Sequence, residues 1–291
     1  MLPSAWRFAG TALAVGFLGF SSMIGILRAQ RPFKEYPAIE YVDFPLPKDY
    51  QRKAEWVRAR LRYPDIYGYP NTRLQLEDGR AFPGYWTMDY PRSDRHLLAG
   101  IERLTRIDTR SAEQVVDLDG TDDVYNWPCL YAVEVGHWKL PQDQADQLRD
   151  FILRGGFFMV DDFHGDAMWE GNNEWETFMA SMSKVFPDRP IEEIPDKDPI
   201  FHTIYDLDQR FQVPGSYNYF ETHTTYEKGP TGKQPHWRCI RDDKGRIIVA
   251  ICHNMDLGDG WENADEPKYP EKYTTLAYRT GIDYFIYDLT H

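Results

Sequence analysis

A helix that stops on two glycines and runs straight into an apolar stretch constrains this chain more than any other feature. Pro141 suits a first helical turn, Ala145, Leu148, Phe151 and Ile152 recur on one face, and Gly155-Gly156 end the helix. The next four residues, Phe157-Phe158-Met159-Val160, leave no polar face. Such a strand must be covered on both sides, as a central strand of a parallel sheet is when helices flank it. The pattern therefore predicts a three-layer α/β domain with a mostly parallel sheet flanked by helices.

The remaining elements fit around that unit. Glu55 to Arg62 alternates apolar and charged residues, which predicts a half-exposed edge or outer strand. Ser93 to Ile107 carries Leu97, Leu98, Ile101 and Leu104 at helical spacing, with Ser93 as the cap. Leu130 to Val135 reads as a strand, Trp175 to Val185 as a helix and Ile191 to Ile194 as a short strand. Towards the C-terminal part, Trp237 to Ile251 forms a β-hairpin turning at Asp243-Lys244-Gly245, its second arm, Ile247 to Ile251, continuously apolar. Thr274 to Leu289 closes the chain as a helix with Leu276, Ile282, Phe285 and Leu289 in one stripe. No internal repeat of fixed period turns the fold towards a solenoid.

The N-terminus sets an expected compartment. Phe8 to Leu27 holds no charge, follows Arg7, and ends at Leu27-Arg28-Ala29, an exit resembling a signal-peptidase site. Residues 1–29 are thus expected to be a signal peptide or an N-terminal membrane anchor. Arg28, Arg31 and Lys34 oppose the positive-inside orientation of an uncleaved anchor and favour release. Residues 30–54, with Pro32, Pro37, Pro45 and Pro47, are expected as an extended linker, and residues 55–291 as a single domain, exported to a periplasmic or extracellular space. Three cysteines would meet an oxidising environment there. The hairpin register keeps Cys239 from facing Cys252, so buried free thiols are expected, Cys129 included.

Charge narrows the partners. The 291 residues carry 33 Lys+Arg against 46 Asp+Glu, a formal charge of −13, which excludes a nucleic-acid binder built on a basic face. The acids concentrate at 117–123, 188–208 and 256–271. A polar small molecule, a basic envelope protein or a cation is the kind of partner such loops attract. Aromatics reach 15% of the chain. Trp127, Trp138, Trp169, Trp237 and Trp261 lie near the expected ligand loops, either as stacking walls or as loop anchors.

In open α/β sheets ligands bind beyond the carboxyl ends of the strands. Three segments leave such ends: Gly136-His137-Trp138, Asp161-Asp162-Phe163-His164-Gly165, and Cys252-His253-Asn254-Met255-Asp256 with Asp259 beyond. Asp161, Asp162, His164 and His253 are the candidates for acid/base chemistry. His137, Trp138, Trp169, Asn254, Asp256, Asp259 and Trp261 are the candidates for ligand contact. Adjacent strand residues point to opposite faces, so Asp161 and Asp162 are not expected to share a proton. A divalent cation held by Asp161 or Asp162, His164, and His253 or Asp256 has permissible ligand types, but neither HExxH nor CxxC is present. The acidic runs 117–123 and 256–265 depart from the alternate-residue pattern of a calcium loop. GxSxG, GxGxxG and GxxxxGK[ST] are all absent, so neither a nucleophile elbow nor a phosphate loop has support.

The run from Leu148 to Gly165 (LRDFILRGGFFMVDDFHG), then Val185 to Pro190 (VFPDRP), Pro199 to His202 (PIFH), Asp242 to Arg246 (DDKGR), His253 to Asp259 (HNMDLGD) and the closing Tyr287 to His291 (YDLTH), resembles a bacterial family called domain of unknown function 4159. That family is similar in architecture to flavodoxin-like, class I glutamine amidotransferase-like and trehalose-utilisation-type domains. The resemblance implies the fold and transfers no catalytic residues. The amidotransferases' cysteine elbow is missing, so glutaminase activity is not implied. The expected function is a non-catalytic ligand-binding or interaction module of the cell envelope. The alternative is a hydrolase-like enzyme acting on a polar, carbohydrate-like substrate through carboxylate and histidine chemistry.

Overall fold

The computed structural model describes residues 31–38, 44–67, 75–76, 79–168, 171 and 173–291. The expected signal or anchor at 1–29 and Trp169 lie outside them. The strands are β1 (Arg58–Arg62), β2 (Gln114–Asp117), β3 (Cys129–Val133), β4 (Phe157–Asp161), β5 (Glu192–Glu193), β6 (His236–Arg241) and β7 (Ile247–His253). The helices are α1 (Arg92–Leu104), α2 (Gln142–Leu153), α3 (Glu174–Val185), α4 (Ser216–Thr222), α5 (Leu257–Glu262) and α6 (Glu271–Thr290).

One sheet runs β2-β1-β3-β4-β7-β6-β5. The first five are parallel, and β6 and β5 add an antiparallel margin beyond β7. Counted along the chain, the parallel strands stand in the order 2-1-3-4-5, the flavodoxin-like order. Helices α1, α5 and α6 pack on one another over one face, and α2 packs on α3 over the other.

The helix–glycine–strand unit behaves as its pattern dictates. Ala145, Leu148, Phe151 and Ile152 are buried, and so is all of β4, which lies between β3 and β7. Gly155 takes φ +111, open to glycine but strained for other residues. A Cβ on Gly156 would fall 2.3 Å from the Phe151 ring, so a hydrogen there lets the helix end press onto the strand. In the hairpin, Cys239 faces Ala250 and Cys252 faces Trp237, leaving all three cysteines free and buried. In α6, Leu276, Ile282 and Phe285 are buried, whereas Leu289 is exposed.

The first strand corrects an expectation. β1 lies inside the sheet, between β2 and β3, not at an edge. Its charges are neutralised rather than solvated: Arg58 Nη2 lies 2.6 Å from Asp94 Oδ1, and Arg60 Nε lies 2.8 Å from Asp94 Oδ2, all three side chains fully buried. A strand whose arginines face a helix carboxylate shows the same alternation as one whose arginines face water. Ser93, expected as the cap of α1, lies within the helix instead and accepts a bond from Arg60 Nη2, while Pro91 takes the N-cap position.

The described part of the Pro-rich segment is without regular structure at 31–38 and lies on the domain, with Arg31 close to Asp119 and Asp123. Among the described residues no helix is long and apolar enough to cross a membrane.

Candidate functional site

Three neighbouring parallel strands end in the same way. Glu134 after β3, Asp162 after β4 and Asn254 at the end of β7 all have φ between 53 and 61, and Asp89, just ahead of α1, has φ 57. L-residues other than glycine visit this left-handed region at a cost of about 1–2 kcal/mol, and such strain concentrates at functional sites. Here it turns the chain sharply at the carboxyl edge of the sheet and gathers polar side chains there.

Asp161 and Asp162 part company, as strand alternation requires. Asp161 is fully buried towards the α1/α5/α6 layer, where its Oδ2 accepts bonds from Gly258 N at 2.9 Å and Tyr131 Oη at 3.3 Å. Among the described residues its Oδ1 has no hydrogen-bond partner. Burial raises this carboxyl to about 7. Asp162 Oδ1 lies 3.1 Å from His164 Nε2, and the other ring nitrogen of His164 is buried without a partner. Burial, reinforced by Glu227 and Asp161, holds the Asp162 proton well above the ordinary carboxylate range.

Asp162 also belongs to a tight acidic group. Carboxylate oxygens of Asp89, Asp162 and Asp256 lie within 4.8 Å of one another, and so do those of Asp89, Asp259 and Glu262. Two glycines make this crowding sterically feasible. A Cβ on Gly258 would stand 2.3 Å from Asp89 Oδ2, 3.1 Å from Tyr131 Oη and 3.3 Å from Asp256 Oδ1. One on Gly215 would stand 2.5 Å from Glu227 Oε1 and 3.3 Å from Asp256 Oδ2. Asp256 caps α5 through Oδ1, which accepts from Asp259 N at 2.7 Å. Its carboxyl is pushed well up by burial and by Asp162 and Asp259. Asp259 is spent on protein donors, taking Ser216 N, Ser216 Oγ and Asn263 Nδ2.

Beside it lies a second cluster of mixed sign. His137 Nε2 is 3.5 Å from Glu134 and 3.6 Å from Glu174, with its ring stacked 3.9 Å from that of Tyr85. Lys228 Nζ reaches Glu174 Oε1 at 2.9 Å, and Glu174 Oε2 accepts His164 N at 2.7 Å. Burial alone would raise the Glu174 carboxyl, but His137 and Lys228 hold it at about 2. Glu134 moves the other way, raised well above its ordinary value by burial and by Asp162.

The other candidate residues are bound up with their neighbours. His253 is buried against Phe163, Trp175 and His236; Arg238 donates to its Nδ1 at 3.1 Å, and Nε2 faces the Gly165 carbonyl. Burial and Arg238 lower it to about 3, so it stays neutral. Asn254 Oδ1 accepts Gly165 N at 2.7 Å, and its Nδ2 donates to Gln234 O and Thr231 O, joining three loops. Trp127, Trp138, Trp237 and Trp261 are all buried and act as loop anchors; Trp138 Nε1 donates to Phe178 O. The aromatic surface near the site is instead on α4, where Tyr217 is 80% exposed with Phe220 beside it, and whose Ser216 binds Asp259.

Sequence pattern does not mark Asp89, Glu134, Glu174, Glu227, Lys228 or Glu262. Glu134 does follow an apolar run, the one signal available for it. Asp89 follows a segment held to β1, where Arg60, itself paired with Asp94, donates to the carbonyls of Trp86 and Met88. The thiols offer no nucleophile: burial pushes those of Cys129 and Cys252 well up, and Cys239 is raised to about 12.

No curated protein matches the chain. A family model described as "domain of unknown function (DUF4159)" matches residues 72–289, a span that holds the helix–glycine–strand unit, both acidic clusters and the hairpin. The chain belongs to the domain of unknown function 4159 family.

Proposed function

We propose that this chain is an exported ligand-binding module that takes a polar ligand at the carboxyl ends of β3, β4 and β7. The observation that carries the reading is the meeting of Asp89, Asp162 and Asp256 within 4.8 Å. Asp162 and Asp256 are no more than 6% exposed. Burying like charges together costs several kcal/mol unless they are protonated or neutralised by something that binds. A fold selected only for stability has no use for such a group, whereas a site for a cationic or hydroxyl-rich ligand does. Export rests on the uncharged run Phe8 to Leu27. The exposed rings of α4 offer a stacking surface beside the acids, suited to a sugar or a flat cation.

One observation favours a second, hydrolytic reading. The Asp162–His164 contact at 3.1 Å pairs a carboxyl with an imidazole whose other nitrogen is uncommitted, the parts of a proton relay.

A thermal-shift screen of monosaccharides, amino sugars, amino acids and polyamines tests both readings, run on wild type, Asp162→Asn and His253→Ala. At least one compound should raise the wild-type Tm and leave the folded Asp162→Asn protein unshifted. His253→Ala should lower Tm without ligand, since it empties a packed position. If no compound shifts the wild type, or the shift survives Asp162→Asn, the binding reading is wrong. Turnover of a binding sugar conjugate, lost in Asp162→Asn, would favour the hydrolytic one.

A further inference from the structure

We propose that Asp89, Asp162 and Asp256 form a binding site for one hard divalent cation, of the Ca²⁺ or Mg²⁺ type, at the centre of the strand-end pocket. The inference deepens the ligand-binding reading and rests on it.

The donor set consists of carboxylate oxygens alone, which suits hard cations and disfavours zinc or copper. The spacing fits as well. Oxygens that share one Ca²⁺ at about 2.4 Å stand no more than about 4.8 Å apart. The three carboxylates lie within that pairwise limit, close enough for one ion to draw them together.

A separate observation comes from the residue next to Asp162. Asp161 is fully buried, and its Oδ2 accepts from the backbone N of Gly258, the same residue against which Asp89 Oδ2 and Asp256 Oδ1 crowd. Among the described residues its Oδ1 is left without a hydrogen-bond partner. A buried carboxylate with an uncommitted oxygen beside such a group has the form of an outer-sphere acceptor for water on an ion.

Charge balance separates this place from its neighbours. In the cluster of Glu134, His137 and Glu174, Lys228 already supplies the positive charge at 2.9 Å. In the group of Asp89, Asp259 and Glu262, both oxygens of Asp259 are occupied by donors from Ser216 and Asn263. Among the described residues Asp256 takes one such bond, from Asp259 N to Oδ1, and its Oδ2 lies close to Gly215. Around Asp162 and Asp256 stand other carboxylates, Asp89 within 4.8 Å of both, with the His164 ring 3.1 Å from Asp162 Oδ1. A bound cation would complement the carboxylates.

The test uses the full chain stripped with EDTA and dialysed free of it. Ca²⁺, Mg²⁺ and Mn²⁺ are titrated singly, followed by calorimetry and thermal shift, in wild type, Asp162→Asn, Asp256→Asn and, as a control on the exposed hairpin turn, Asp243→Asn. One ion per chain should bind and raise Tm by several degrees. Affinity should fall tenfold or more in Asp162→Asn and Asp256→Asn and stay within about twofold in Asp243→Asn. The proposal is overturned if folded wild type shows neither heat nor shift with any of the three ions, or if Asp162→Asn and Asp256→Asn both bind as wild type does, which would place the ion on an exposed acidic loop. The ligand screen repeated with EDTA keeps the two ideas apart. Polar compounds that bind without metal leave the ligand-binding reading standing while this one fails.

Discussion

Two buried aspartates show how much the partner decides. Asp94 sits between Arg58 and Arg60, and although burial alone would raise its carboxyl, the two guanidinium groups hold it below the ordinary value. Asp256 is raised by burial and by neighbouring acids, so its carboxyl goes the other way. Asp94→Ala should therefore destabilise the protein by roughly 3–5 kcal/mol, because it strands two buried arginines without a counter-charge. Urea unfolding measures this, and a loss under about 1 kcal/mol would show that water reaches those arginines in the folded state. None of this was visible as pairing in the sequence, where Asp94 is one acid among 46 Asp+Glu. Pairing between side chains 34 or 36 residues apart comes from the packing of α1 on β1, not from a local pattern.

At the scale of elements, Asn254 ties the end of β7 to the loops carrying Gly165, Thr231 and Gln234. Asn254→Gly keeps the left-handed backbone available but removes those bonds. It should cost about 1–3 kcal/mol and speed amide exchange at Gly165, read by hydrogen-exchange mass spectrometry. Unchanged protection there would mean the loops hold themselves. The elements themselves were largely legible. The run from α2 to β4, the hairpin register and the stripe of α6 all rest on local spacing, which survives into the structure. The placement of β1 did not, because alternation records which side chains are polar and not what neutralises them. The strand-end candidates were legible as positions, since chain direction and apolar runs fix where a strand ends. Their partners Asp89, Glu174 and Lys228 come from distant segments and carry no mark in sequence.

Over the whole molecule, the strand-end acids set a pH dependence. Asp161, at about 7, and Asp162 and Asp256, higher than ordinary carboxyls, keep protons in the folded chain that the unfolded chain releases near 3.8. Their contribution to stability is full below that value and is lost as pH rises through the folded values. His253 has the opposite sign, lowered from 6.5 to about 3, so its contribution is gained between those values and is constant above them. Glu174, at about 2, acts in the same sense as His253, only below 4.5. Metal-free protein should thus lose stability as pH rises from about 6.5 through the Asp161 value of about 7, by up to about 1.4 kcal/mol per pH unit for each group titrating. A Tm flat or rising across that range would contradict the assignment. A bound cation would oppose the loss, since it replaces the protons.

The central claim is that the buried acids are kept for binding rather than for the fold, and Asp256→Asn tests it most directly. Asparagine still caps α5 but removes one charge from the cluster. With EDTA at pH 8, the account predicts a Tm above that of wild type by a few degrees, together with loss of the increment that a divalent cation gives wild type. A Tm several degrees below wild type, with the cation increment intact, would show that the cluster serves the fold and that binding lies elsewhere.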